Sequence, residues 1–140
     1  MKFENLADNI DLCINCRYDV RFKPNNPVLL AEFKSYATAT WQNIKNSPKF
    51  IQQFKNYLAT TDIDAIEKLA YVVNITKATE AEIKLAFKEL FLAKKEEIFL
   101  AMNQQLKADI LGLANVNRID LFENAINDLN SKLYNFIKTE

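Results

Sequence analysis

Residues 79–112 read TEAEIKLAFKELFLAKKEEIFLAMNQQLKADILG. Ile83, Phe87, Leu90, Phe91, Ile98, Met102, Leu106 and Ile110 recur at helical spacing, so one apolar stripe runs from about Glu80 to Leu111. Thr79 stands three residues before Glu82, the pattern in which each side chain caps the other's backbone amide at a helix start. Gly112, the one glycine in the chain, falls just past the stripe, where a helix stop needs a residue tolerant of positive φ. The stretch predicts a long central helix, with a bend or an exposed stretch expected at Lys94-Lys95-Glu96-Glu97, where charge interrupts the stripe.

Outward from that helix, the rest of the chain reads as helix too. Scarce glycine and plentiful Ala, Leu, Lys and Glu favour it. On the C-terminal side, Phe122, Ala125, Ile126, Leu129, Leu133, Phe136 and Ile137 mark an amphipathic helix over about residues 119–138. On the N-terminal side, Ile63, Ile66, Leu69, Ala70 and Val73 suggest a helix capped by Thr61 or Asp62. Ser47-Pro48 is a helix start, and Phe50, Ile51, Phe54, Tyr57 and Leu58 form the stripe behind it. Leu30, Phe33, Ala37, Trp41 and Ile44 suggest a further helix over about residues 27–46. Lys23-Pro24-Asn25-Asn26-Pro27 reads as a loop, and Phe3 to Ile14 as a first helical face.

Residues 14–23 fit two descriptions. Ile14, Cys16, Tyr18, Val20 and Phe22 alternate with polar residues, as in a strand, while Ile14, Tyr18 and Phe22 also fit a helix. A strand there needs a partner, and Tyr71 to Thr76 is the one other β-rich segment. The expected fold class is therefore all-α, a single domain over residues 1–140 built as a bundle of five to six helices around a long central one. The alternative is α+β with a small two-stranded piece.

Composition excludes more function than it reveals. The chain has 140 residues and no histidine. That removes Ser-His-Asp triads, His-paired cysteine nucleophiles, H-E-x-x-H zinc sites and His-ligated haem. A single glycine removes glycine-rich phosphate loops and nucleophile elbows. No catalytic, cofactor-binding or metal-binding residues are expected, and no cofactor. Lys+Arg and Asp+Glu number 18 each, so net charge gives no general pull toward nucleic acid or anionic lipid. There is no long apolar run and no signal-peptide pattern, so a cytoplasmic protein without a membrane partner is expected. Abundant Asn, Lys, Ile and Phe fit an AT-rich genome and a bacterial or phage source.

Three features remain as candidate sites. Leu92, Phe99 and Leu100 stand off the stripe of the long helix, which is then apolar on more than one side. Such a helix is either sandwiched in its own domain or shared with a partner. Lys34, Lys45, Lys49 and Lys55 lie among Trp41, Phe50, Phe54 and Tyr57, a basic and aromatic region that suits nucleic acid or an acidic protein partner. The aromatics there also fit a core stripe. Cys13 and Cys16 form a C-x-x-C, which could run thiol exchange or half-complete a metal site; the preferred reading is two small core residues.

The leading functional expectation is a non-enzymatic protein-binding module (adaptor, inhibitor, immunity or accessory subunit) docking through a helical apolar face. A small nucleic-acid-associated subunit and a C-x-x-C thiol or metal protein are the alternatives. The expected partner is another protein, with nucleic acid or a second copy of the chain behind it.

Overall fold

Leu69 to Val73 (Leu-Ala-Tyr-Val-Val) is the segment around which the other strands are ordered. In a computed structural model, which describes residues 20–21, 30–34, 41–60, 63–73, 75–76 and 78–139, it is a strand buried at four of its five positions. The described strands are β1 (Val20–Arg21), β2 (Leu30–Lys34), β3 (Leu69–Val73) and β4 (Ile137–Thr139), and they form one sheet in the order β1-β2-β3-β4. β1 runs antiparallel to β2, with Val20 opposite Ala31. β2 runs parallel to β3 from the Leu30–Leu69 pair to the Lys34–Val73 pair, and β4 runs parallel to β3, with Tyr71 opposite Ile137. The described helices are α1 (Pro48–Ala59), α2 (Glu80–Ala93), α3 (Lys95–Ala101), α4 (Gln104–Leu111) and α5 (Ile119–Asn127). The protein is predominantly helical, in the α+β form of that class.

Parallel strands need crossovers, and the helices supply them. The β2–β3 crossover contains α1, and the β3–β4 crossover contains α2 to α5. Helices and sheet enclose one core. Its centre is a set of rings from every layer: Trp41, Phe50, Phe54, Tyr57, Tyr71, Phe87, Phe91, Phe122, Tyr134 and Phe136, each buried.

Three start and stop signals operate as their residues imply. Ser47 Oγ accepts from Phe50 N at 3.3 Å, with Pro48 at the first helical position. Thr79 Oγ1 accepts from Glu82 N at 3.2 Å while Thr79 N donates to Glu82 Oε1 at 3.3 Å, a complete capping box on α2. Gly112 ends α4 at φ 93° and ψ 146°, a conformation close to glycine's own region. A Cβ there would meet only Asn115 Nδ2 at 3.6 Å, so space is not the constraint. Gly112→Ala is expected to cost about 1–3 kcal/mol through backbone strain alone, read as a lower urea midpoint at unchanged slope.

Four sequence expectations are corrected. The helix expected over residues 27–46 gives way at Leu30–Lys34 to β2, while residues 41–42 are helical and Ile44–Asn46 is a 3-10 turn. The helix expected from Ile63 is a 3-10 turn at Ile66–Lys68 followed by β3. β3, buried at four of its five positions, carries a continuous apolar run, which spacing alone does not separate from a buried helix. The long helix over residues 80–111 breaks twice. At Lys94 (φ −124°, ψ 28°) the hydrogen bonds continue, Lys94 N to Leu90 O and Ile98 N to Lys94 O, so this is a kink where the charged cluster suggested one. At Met102–Asn103 the break is complete, because Asn103 caps a new helix with its side chain on Leu106 N at 2.7 Å. The final helix stops at Asn127 rather than near 138. There Asn130 N donates to Asp128 Oδ1 and Ser131 Oγ donates to Ala125 O, turning the chain into a 3-10 segment, Lys132–Phe136, and then β4.

Within residues 14–23, Val20 and Arg21 are strand, paired with β2 rather than with the 71–76 segment, whose Tyr71 to Val73 belong to β3. The first helical face, the capping by Thr61 or Asp62, and Cys13 and Cys16 lie outside the described residues.

Two titrating groups tie the C-terminal turn to the rest. Lys132 Nζ lies 2.6 Å from Asp109 Oδ1, and that hydrogen bond raises the Lys132 pKa above its ordinary 10.5. Tyr134 donates its hydroxyl to Ile126 O at 2.6 Å, and burial raises its pKa above 10.0. Both groups keep their proton in the folded protein at a pH where the unfolded chain has begun to lose it. Their contribution is therefore complete below about pH 10 and declines above it. The urea midpoint is expected to stay level from neutral pH to about pH 9 and to fall beyond pH 10, less steeply in Tyr134→Phe. A fall of equal steepness in that variant would place the titration elsewhere.

Candidate docking face

α2 has two apolar sides. Ile83, Ala86, Phe87, Leu90 and Phe91 enter the core. Leu85 and Leu92, seven residues and so two turns apart, remain 49% and 44% exposed on the other side. In α3, Ile98 and Phe99 point inward while Leu100 is 79% exposed. The three off-stripe residues thus part company. Leu92 and Leu100 face solvent, and Phe99 is core, 5.1 Å from the Phe122 ring and covered by the Lys107 ammonium 4.5 Å from its centroid. The kink at Lys94 resets the helical phase, so the inward side of α3 takes in Phe99.

The basic region divides in the same way. Trp41, Phe50, Phe54 and Tyr57 are all buried, which removes them as stacking platforms for bases. Lys45, Lys49 and Lys55 are at or near the surface, and Lys34 lies on β2 with its side chain outside the described part. Lys45 and Lys55 line an open groove of about 520 Å³ between α1 and the α2–α3 kink, together with Pro48, Ile51, Ala93, Lys94 and Glu97. Lys49 is exposed on the first turn of α1 and does not line that groove. A smaller hollow of about 260 Å³ shares Ala93, Lys94 and Glu97 with it and reaches Leu92. Lysines and an exposed leucine that are far apart in sequence therefore border one continuous surface.

The larger groove is basic with loose internal pairing, whereas the hollow adds Glu96 and a Lys95 held by Glu123 at 2.7 Å. Lys45 Nζ is 3.5 Å from Glu89 and Lys55 Nζ is 4.0 Å from Glu97, the second at the limit of an ion pair. Lys94 makes no ion pair among the described residues. α1 has no acid in its first turn to offset the positive end of its dipole.

Among the described residues, no group of three or more His, Cys, Asp or Glu side chains is placed to hold a metal. No helix among them is long and apolar enough to cross a membrane. Comparison with protein-family models, curated proteins and solved structures finds no match for this chain.

Proposed function

We propose that the chain is a non-enzymatic, cytoplasmic protein-binding module of the adaptor, inhibitor, immunity or accessory type. It docks through the outer side of α2 and α3. The observation that carries this reading is the exposure of Leu92 and Leu100 on helices whose opposite sides fill the core. The core does not need these side chains, and exposed apolar area gains free energy only when something covers it. The lack of histidine supports the non-enzymatic part, since the commonest general acid–base group is missing.

Leu92→Glu and Leu100→Glu are expected to leave stability within about 0.5 kcal/mol of the parent, as surface changes do. In cells of the source organism, a photo-crosslinking amino acid at 92 or 100 should give one discrete protein adduct. The same group at the exposed Asn124 on α5 should give none. Adducts of equal yield from all three positions, or from none, would remove this reading.

A further inference from the structure

We infer that the groove beside the α2–α3 kink receives an acidic segment of the partner chain, carrying an apolar side chain toward Leu92. This rests on the docking reading above and names the partner's chemistry. Three lysines, Lys45, Lys55 and Lys94, line the groove against one acid, Glu97. Such a lining favours carboxylates and disfavours basic segments. The groove is only partly neutralised, by Glu89 on Lys45 and Glu97 on Lys55. The Lys45 and Lys55 pairs span 3.5 and 4.0 Å, long enough for either ammonium to turn to a better acceptor, and Lys94 has no ion pair among the described residues. The electropositive start of α1 adds to the same field, with Pro48 in the lining.

Apolar contacts are built in beside the charges. Pro48, Ile51 and Ala93 line the groove, and the adjoining hollow leads on to Leu92. A segment with acids flanking one or two apolar residues matches both halves. Nucleic acid matches less well: the nearby aromatics are in the core, so bases have nothing to stack on, and Glu97 opposes phosphate within the groove.

The test is selection of a random peptide library, about 16 residues long, on the full-length chain. Enriched peptides should combine Asp or Glu with Leu, Ile or Phe. Their binding should weaken about tenfold in Lys45→Glu/Lys55→Glu/Lys94→Glu, since each reversed surface pair contributes modestly. Lys138→Glu, equal in charge per site but on β4 and absent from the groove lining, should change it little. Lys94→Glu alone, which breaks no ion pair among the described residues, should give part of the loss with an unchanged circular dichroism spectrum. Enrichment without acids, no enrichment, or indifference to the triple reversal overturns the inference. So does an oligothymidine that binds more tightly than the peptides and competes for the same lysines. Failure here with a discrete adduct at position 92 or 100 would leave the docking module standing with a different partner chemistry. Peptide capture without any adduct would do the reverse.

Discussion

Phe87→Ala is expected to lower the free energy of unfolding by about 4 kcal/mol, the range for emptying a fully packed aromatic site. Phe87 is completely buried and lies at the junction of every layer of the core. Its ring centroid is 4.9 Å from Phe136, 5.6 Å from Phe54 and 5.8 Å from both Trp41 and Tyr71, with Phe50 and Phe91 at 5.9 and 6.4 Å. Alanine there leaves a void whose walls come from α1, α2, β3 and the C-terminal turn, elements pinned by their own hydrogen bonds and unable to close in together. Domains of this size typically have about 5–15 kcal/mol in total, so the variant approaches the unfolding threshold. Phe87→Leu retains most of the volume and should cost about 1.5 kcal/mol or less. Urea unfolding followed by circular dichroism measures both. An alanine variant within about 1.5 kcal/mol of the parent would mean that the core relaxes around the site far more than such dense packing allows.

Asn103→Ala should cost about 2 kcal/mol or somewhat more, although it removes a polar side chain that is not wholly buried. Asn103 fastens two remote parts of the chain. Its Nδ2 donates to Thr60 O and Ile63 O, each at 2.7 Å, its Oδ1 caps α4 through Leu106 N at 2.7 Å, and its backbone N–H donates to Leu58 O at 3.0 Å. Loss of the cap costs about 1 kcal/mol and Ile63 O, left without its donor, about as much again, while Thr60 O keeps the Ile63 N–H at 3.2 Å and loses less. Asn103→Asp separates these contributions. It keeps the cap but sets a carboxylate oxygen against two carbonyls, so it should be at least as destabilising as alanine. An aspartate variant as stable as the parent would show that the loop after α1 does not depend on those two bonds.

Much of the helical half was legible, because caps act locally. Ser47-Pro48, Thr79 with Glu82, and Gly112 each declare a boundary through a side chain or backbone preference reaching no more than one turn. Burial was legible as well: Phe122, Ile126, Leu133, Phe136 and Ile137 all turn inward, even though the last three leave the helix that their spacing suggested. The sheet was less so. β2, β3 and β4 are paired by residues far apart in the chain, and a short apolar strand covered on both sides has the spacing of a buried helix. Two signals were available. Asn103 within the stripe is a helix-capping residue type, and Asn127-Asp128-Leu129-Asn130-Ser131 is a cluster of turn formers. The exposed Leu92 and Leu100 stood out because they break the stripe. Phe99 was misplaced because the phase shifts at Lys94. The groove had no sequence signature, since it exists only where α1 meets the α2–α3 kink.

The position of β4 bears on how the chain acquires its shape during synthesis. β3 has β2 available as soon as residue 73 has left the ribosomal tunnel, but its other edge stays open until residues 137–139 emerge. Between the emergence of residue 73 and that of residues 137–139 the nascent chain carries an unpaired strand edge, of the kind that recruits other extended polypeptides. Pairing this distant in sequence also slows the final closure.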